Sequence, residues 1–121
     1  IKKTFLRFGD KFIHRIFSEH ERERSNKKFD KFSSYAKRFA AKEACSKALG
    51  TGFSEGVYWR DMCVVNLENG RPTMVLTGGA LEQLKKITPP KTVPTINISL
   101  TDESPMAHAV VIITSEPIHG K

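Results

Sequence analysis

Residues 38–52 read Arg-Phe-Ala-Ala-Lys-Glu-Ala-Cys-Ser-Lys-Ala-Leu-Gly-Thr-Gly, and this stretch decides the fold of the chain. Up to Leu49 it contains no proline and no β-branched residue, and its apolar and small residues recur at helical spacing. The pattern predicts a long helix over residues 35–49, which Gly50 ends. Gly50 and Gly52 then allow either a loop that approaches a ligand closely or a plain C-terminal cap, and both would look the same in sequence.

Glu43 is the only acid of this helix, among the cations Arg38, Lys42 and Lys47 and the hydroxyl of Ser46. Glu43 and Lys47 are one helical turn apart and share a face. That face offers a carboxylate for a hard cation and positive charge for phosphate. The alternative is an ordinary amphipathic helix with a solvated Glu–Lys pair.

The first half of the chain is predicted to be helical. The spacing of its apolar residues predicts a helix over 3–16 that is interrupted at Gly9, and a second helix from Ser18 to Arg24. Ser18 and Glu21 have the spacing of a capping box at the start of the second helix. Residues 25–33 are polar and predict a loop, after which Ser33 or Ser34 would cap the long helix.

The second half is predicted to be mostly strands. Alternation over 56–65, Asn-Gly in a turn over 68–71 and a return strand over 72–76 predict a hairpin. The remaining predicted elements are a helix over 79–87 and strands over 95–101 and 107–114. Helices followed by antiparallel strands indicate an α+β domain, with the long helix packed on a curved antiparallel sheet.

The positive charge is confined to one part of the chain. The 121 residues carry a net charge of +7; residues 1–50 hold 14 Lys and Arg against 6 Asp and Glu, and residues 51–121 hold 6 against 7. A one-signed region favours a partner of the opposite sign: nucleic acid, an acidic protein or a polyphosphate. No zinc spacing or helix-turn-helix pattern supports nucleic acid. Two isolated cysteines and the lack of a long apolar run fit a cytoplasmic protein without a membrane segment.

Residues 39–48 resemble the Phe-Ala-x-Lys-Glu-Ala-x-x-Lys-Ala signature of the 4′-phosphopantetheinyl transferases. With the Gly-Thr-Gly that follows, the stretch is similar to the small holo-[acyl-carrier-protein] synthase branch. The similarity extends along nearly the whole chain, in blocks of moderate specificity at 8–12, 15–18, 59–61, 69–72, 98–102 and 109–111.

This resemblance implies a magnesium-dependent enzyme of fatty acid biosynthesis. It would transfer 4′-phosphopantetheine from coenzyme A to a serine of an acidic apo-acyl carrier protein. The resembled proteins are trimers with active sites between neighbouring subunits, which implies a homotrimer here. The alternative is a non-catalytic basic module that binds nucleic acid or acidic proteins. Glu43 distinguishes the enzyme from this module, because a metal site needs a carboxylate and a simple phosphate-binding surface does not.

The resemblance also assigns roles within the long helix. Glu43 matches the family's Mg²⁺ ligand, and Lys47 matches the lysine that meets the pyrophosphate. Arg38 and Ser46 match positions near coenzyme A. Lys42 could serve the ligand or only its own helix surface.

Further nucleotide contacts are implied in the glycine loop, the hairpin and the C-terminal strand. The hairpin residues would reach the nucleotide of the adjoining subunit, although a tight turn alone would also explain Asn-Gly. The strand hydroxyls would lie near the phosphate, unless they only face solvent. The implied residues are Gly50, Gly52, Asn69, Arg71, Pro72, Ser99 and Thr101.

Three further parts of the sequence bear on the partner and the metal: the first helix, Asp102 and the start of the chain. Basic residues of the first helix, Arg7, Lys11 and Arg15, are implied to dock the acyl carrier protein. Asp102 stands where many members carry a histidine, so a histidine-based role is not expected there. The family begins with an apolar strand carrying Gly-x-Asp, the second metal ligand; this motif does not precede Ile1, and we expect an upstream segment of roughly a dozen residues, about two strand lengths.

Overall fold

Three helices form the first half of the chain in the computed structural model. The structure describes the backbone of residues 2–103 and 106–118, and the side chains of residues 9–101 and 107–118. Helix α1 (Lys2–Ile16) is two helical segments joined at Gly9, whose φ of 57° is non-helical. Helix α2 (Glu19–Asn26) begins at Ser18 with the expected reciprocal capping box to Glu21. The long helix α3 spans Lys31–Ala48.

The second half contains two antiparallel hairpins and one helix. Strands β1 (Met62–Asn66) and β2 (Pro72–Leu76) pair with each other, and α4 (Gly78–Ile87) follows them. Strands β3 (Thr92–Glu103) and β4 (Met106–Pro117) form the second hairpin. The α+β fold class is confirmed, with the strands in two two-stranded sheets.

Two apolar clusters lie on either side of α3. The larger joins α3 to both hairpins and α4 through Ala41, Cys45, Leu49 and their neighbours. The smaller joins α3 to the end of α1 through Ile13, Ile16, Phe17 and Tyr35. No helix in the described part of the chain is long and apolar enough to span a bilayer.

Two local predictions are wrong. Helix α3 begins four residues earlier than expected, because the Asp30 carboxylate accepts from the Ser33 amide and caps it in place of Ser33 or Ser34. The predicted strand over 56–65 shrinks to Met62–Asn66, since Trp59–Asp61 form a 3₁₀ turn. The Asp61 carboxylate accepts from the Tyr58 amide and closes that turn, which the alternation of apolar residues conceals.

Candidate active site

A cleft of about 700 Å³ opens beside the first half of α3. The α2–α3 turn and α3 form one wall, and β1, β2 and β3 form the other. Four of the predicted site residues line it: Arg38, Pro72, Ser99 and Thr101. Its remaining lining is strongly basic and comprises Arg24, Lys28, Phe29, Asp30, Ser33, Ser34, Lys37, Val64, Asn66, Ile98 and Leu100.

Two guanidinium groups at this cleft have unused hydrogen-bonding capacity. Arg38 is only 6% exposed, and its Nη1 donates to the Ser34 hydroxyl at 2.5 Å and to the Ser34 carbonyl at 3.3 Å. The Nε groups of Arg24 and Arg38 are buried without a hydrogen-bond partner among the described residues. Burial lowers the pKa of Arg38, and the nearby Glu21 carboxylate partly opposes this. An anion with several oxygens, such as phosphate, is the ligand that satisfies such groups.

The opposite wall of the cleft presents hydroxyls. Along β3 the side chains alternate, so Ser99 and Thr101 are exposed while Ile98 and Leu100 pack toward the core. At the rim, Phe29 is fully exposed, at 109% of its reference area. The cleft therefore combines cations, hydroxyls and one uncovered aromatic ring, a set that suits a nucleotide.

Glu43 and Lys47 lie on a different face of α3. Glu43 is five residues beyond Arg38, which places it about 140° around the helix. Both side chains are exposed, and neither has a hydrogen-bond or ion-pair partner among the described residues. The two side chains do not form an ion pair with each other, and both are solvated, as an ordinary amphipathic helix would also leave them. A single chain thus leaves Glu43 and Lys47 outside the lining of the cleft.

The free carboxylate of Glu43 fits a magnesium site of the kind in which phosphates and water supply the other ligands. Such a site needs one or two carboxylates from the protein, and Glu43 supplies one. No group of three or more potential metal-ligating side chains occurs among the described residues, so the chain holds no closed, all-protein metal cage in that part.

Lys42 fulfils neither expectation, because it is completely buried rather than on the helix surface or at the cleft. Its Nζ lies 2.6 Å from Glu21 Oε1 and donates to the carbonyls of Ile16, at 2.5 Å, and Trp59, at 3.3 Å. The other Glu21 oxygen accepts from the Val64 amide at 2.9 Å. Burial lowers the pKa of Lys42, and Glu21 partly opposes this. The pair holds α1, α2, α3 and β1 together.

Ser46 and both cysteines also point inward. The Ser46 hydroxyl is buried and donates to the Glu43 carbonyl at 2.7 Å, so it is used within α3. Burial raises the pKa of the Cys45 thiol to about 11, and also raises the pKa of Cys63. Both cysteines are free.

Local hydrogen bonds fix the conformations of the glycine loop after α3 and of the turn between β1 and β2. Gly50 and Gly52 have φ of 88° and 61°, and the Gly52 amide donates to the Ser46 carbonyl at 3.0 Å, which closes the end of α3. In the hairpin, the Asn69 side chain accepts from the Arg71 amide at 3.0 Å. Neither loop lines the cleft of this chain; only Pro72, next to the hairpin, does.

The docking residues that can be placed lie on another surface. Lys11 and Arg15 are exposed on α1 and line a separate hollow with Tyr58, Trp59 and Arg60. The side chains of Arg7 and Asp102 lie outside the described residues.

Sequence reasoning missed the cations at the α2–α3 turn. Arg24, Lys28 and Lys37 all line the cleft. Lys28 falls within, and Arg24 directly before, the segment interpreted only as a polar loop, while Lys37 falls in the predicted long helix, where it was given no role. The signal that could have found them was the density of positive charge before Arg38, which the charge distribution already contained.

Comparisons with known proteins agree with this architecture. The family profile of the 4′-phosphopantetheinyl transferase superfamily matches residues 1–106. The chain is 60% identical over 117 residues to a holo-[acyl-carrier-protein] synthase of Phenylobacterium zucineum, covering 97% of this chain and 85% of that protein. It is also 60% identical over 117 residues to the synthase of Caulobacter vibrioides, with 97% and 88% covered.

Solved structures share the fold. The Helicobacter pylori holo-[acyl-carrier-protein] synthase in complex with coenzyme A superposes with a TM-score of 0.77 at 28% identity, covering 94% of this chain and 90% of that one. The Neisseria meningitidis synthase gives a TM-score of 0.78 at 27% identity, covering 93% and 87%. The chain therefore belongs to the 4′-phosphopantetheinyl transferase superfamily, as an enzyme of its holo-[acyl-carrier-protein] synthase branch.

Proposed function

We propose that this enzyme transfers 4′-phosphopantetheine from coenzyme A to a serine of an apo-acyl carrier protein, with Mg²⁺, in the fatty acid biosynthesis of the cytoplasm. The observation that carries the proposal is the basic cleft beside α3, where two buried arginine Nε groups have no partner in the part of the chain that the structure describes. Membership of a transferase family decides against the alternative of a non-catalytic basic module.

The cleft is proposed to hold the phosphates of coenzyme A. Arg38 and Arg24 would donate from the floor, and Lys28 and Lys37 would neutralise charge at the rim. Ser99 and Thr101 would donate from β3 on the other side. The coenzyme A complex of the Helicobacter pylori relative supports this ligand class.

Glu43 is proposed as the protein ligand of Mg²⁺, with Lys47 close to the pyrophosphate. When bound, the cation would neutralise the charge that builds up on the leaving nucleotide. Lys47, one turn along the same face, would hold the pyrophosphate in line with the attacking serine. Neither side chain has a partner within residues 9–101 and 107–118, which supports this assignment because both groups are exposed and available to a ligand.

A homotrimer is proposed because the chain leaves two features incomplete. Glu43 and Lys47 lie on a face of α3 other than the cleft, and Asn69 and Arg71 are not among the residues that line it. Large apolar side chains are also uncovered on the outer face of the β3–β4 hairpin: Val93 at 53%, Val110 at 57% and Ile112 at 53% exposure. A neighbouring copy that covers this face would bury apolar area and place a second set of residues beside the nucleotide.

The direct test is incubation of the protein with coenzyme A, Mg²⁺ and an apo-acyl carrier protein, followed by intact mass measurement of the carrier. We expect the carrier to gain the mass of one phosphopantetheine group, and the gain to disappear when the acceptor serine is replaced by alanine or Mg²⁺ is chelated. A carrier whose mass stays unchanged with all components present would overturn the proposal.

A further inference from the structure

An apolar groove lies where the ends of α3 and α4 meet the second hairpin. It consists of two adjoining depressions, of about 400 Å³ and about 110 Å³, which share Thr88, Pro89 and Pro94. We name it the α4 groove. Its remaining apolar lining comes from α3, α4 and β4 and comprises Ala48, Leu81, Leu84, Ile87 and Ile113.

The α4 groove offers few free polar groups. The hydroxyls of Thr88 and Thr92 donate to the carbonyls of Leu84 and Pro89, each at 2.6 Å, so both are already used. Lys85 is the only charged residue among those that line the groove, and its ammonium lies 3.5 Å from the Glu82 carboxylate. Ile87, by contrast, is 42% exposed. A concave, mostly apolar surface of this size suits an uncharged, apolar part of a small ligand.

The α4 groove is continuous with the surface that carries Lys47, because Ala48 lines the groove and directly follows Lys47 in α3. Ala48 also lies eleven residues, or three helical turns, beyond Lys37 of the basic cleft, which places both on one face of α3, roughly 16 Å apart. Ala44 occupies that face between them, so α3 itself puts no large side chain there. Along α3, the order is therefore basic cleft, Glu43 and Lys47, α4 groove.

This order matches the order of chemical groups in a coenzyme A thioester. Such a molecule has a nucleotide at one end, then a pyrophosphate, then the pantetheine arm, and an acyl chain at the other end. The cleft and Lys47 account for the charged groups, as proposed above, but coenzyme A itself ends in a thiol and has no apolar group for the groove. An acyl chain supplies one.

We infer that the α4 groove seats the acyl group of a coenzyme A thioester, so that medium-chain thioesters bind more tightly than coenzyme A and are also donors. The inference rests on the proposed function, from which it takes the place of the pyrophosphate. A second copy of the chain is the competing occupant. The exposed valines and isoleucine on the outer face of β3–β4 offer such a copy a broader surface than this groove does.

The acyl group takes no part in the transfer step. The serine oxygen of the carrier forms a bond to the phosphorus next to the pantetheine arm, and the phosphoanhydride bond of that phosphorus breaks. Adenosine 3′,5′-diphosphate leaves with the electron pair, the serine proton passes to solvent, and the thioester bond stays intact. The carrier then receives an arm that is already acylated.

The test measures the calorimetric Kd of coenzyme A and of its acetyl, hexanoyl and octanoyl thioesters, without carrier. A methylene group that leaves water strengthens binding about fourfold, so we expect octanoyl-coenzyme A to bind at least tenfold more tightly than coenzyme A. Ile87→Glu should abolish this preference and leave the Kd of coenzyme A unchanged. Val75→Glu is the matched control, since Val75 is 47% exposed and does not line the groove, and it should keep the preference.

Two further measurements accompany the Kd series. Intact mass of the carrier after incubation with octanoyl-coenzyme A and Mg²⁺ should show the octanoylated arm. Light scattering should give the same molar mass for Ile87→Glu and the unaltered protein. If Ile87→Glu does not fold, Ile87→Ala takes its place and should lose part of the preference.

The outcomes separate the inference from the proposed function. Equal Kd values for coenzyme A and octanoyl-coenzyme A overturn the inference, and so does a preference that survives in Ile87→Glu. A carrier modified by coenzyme A but not by octanoyl-coenzyme A also overturns it, as does a lower molar mass of Ile87→Glu, which would assign the groove to a second copy. Absence of transfer from coenzyme A overturns the proposed function, while the Kd series still reports on the groove.

Discussion

Lys42 and Glu43 are neighbours in sequence, but one side chain is buried and the other is exposed. The Lys42 ammonium is removed from water and neutralised by Glu21, whereas the Glu43 carboxylate is exposed and forms no ion pair with any side chain that the structure describes. Successive residues of a helix point about 100° apart, so one turn of α3 can hold the domain together and present a ligand group. The two residues therefore call for different experiments.

Replacement of Lys42 by Met should lower the free energy of unfolding by about 3–5 kcal/mol, because it leaves the buried Glu21 carboxylate without its cation. Urea unfolding measures this. Adding Glu21→Gln to Lys42→Met should recover part of the loss, because it removes the uncompensated buried charge. The recovery is only partial, since the amides of Ser18 and Val64 donate to different oxygens of Glu21 and the single amide oxygen can accept from one of them. A double variant less stable than Lys42→Met would contradict this account of the pair.

Replacement of Glu43 by Gln should reduce the rate of transfer roughly a hundredfold or more while leaving the unfolding midpoint unchanged. The amide keeps the shape of the side chain but binds a hard cation weakly. Mass measurement of the carrier at ordinary Mg²⁺ gives the rate, and Glu116→Gln, an exposed acid on β4, is the matched control. Near-normal transfer by Glu43→Gln would remove the metal assignment.

Residue-level sequence reasoning succeeds where the interaction is local. The Ser18–Glu21 capping box was predicted because both partners fall within one helical turn. The Lys42–Glu21 pair was not, since its partners are 21 positions apart and meet only after α2 packs on α3. Chemistry that depends on long-range packing leaves no fixed spacing in the sequence.

At the level of the element, α4 depends on a very close approach of two backbones. A Cβ atom built on Gly79 would lie 1.8 Å from the carbonyl oxygen of Gly56. Gly79 lies in the first turn of α4, the helix whose Gln83 side chain donates to the Leu49 carbonyl at the end of α3. The position of α4, and its support of α3, therefore require glycine at position 79.

The change Gly79→Ala should destabilise the protein by about 1–3 kcal/mol, although alanine favours helix over glycine by about 1 kcal/mol. The sign of the change in the free energy of unfolding shows which effect is larger, the close packing against Gly56 or the helix propensity of alanine. Thermal and urea unfolding measure it, with Glu82→Ala, an exposed position of the same helix, as the control. Stabilisation by Gly79→Ala would show that the loop at Gly56 moves away at little cost.

Sequence patterns predict the order of the helices and strands better than they predict where each one begins and ends. The helices and hairpins were predicted in the correct order, because periodicity and Asn-Gly turn chemistry are local. The strand over 56–65 was wrong, because alternation continues through a 3₁₀ turn that Asp61 closes. β3 and β4 are longer than predicted because their backbones pair from Thr92↔Pro117 to Glu103↔Met106.

At the scale of the whole molecule, the basic half of the chain is divided between two surfaces. Arg24, Lys28, Lys37 and Arg38 line the cleft, while Lys11 and Arg15 line the separate hollow beside Trp59. The sequence showed the excess charge but not its division, because the division depends on how α1 and α2 pack against α3.

Reversal of one charge on the hollow side should therefore affect one substrate. Arg15→Glu should raise KM for the carrier protein about tenfold and leave the calorimetric Kd for coenzyme A unchanged. The difference from the unaltered protein should shrink as salt rises from low to about 0.5 M, since exposed charges are screened. Equal losses for both substrates would mean that Arg15 supports the fold or the cleft instead.

Trp59 is the only tryptophan of the chain, and it lines the hollow beside Lys11 and Arg15. Intrinsic fluorescence therefore reports from a single known place, without a label. Coverage of the hollow by a partner should shift the emission to shorter wavelength and reduce quenching by acrylamide, whereas a ligand confined to the basic cleft should leave both nearly unchanged. The protein thus carries its own optical titration signal for one of its two surfaces.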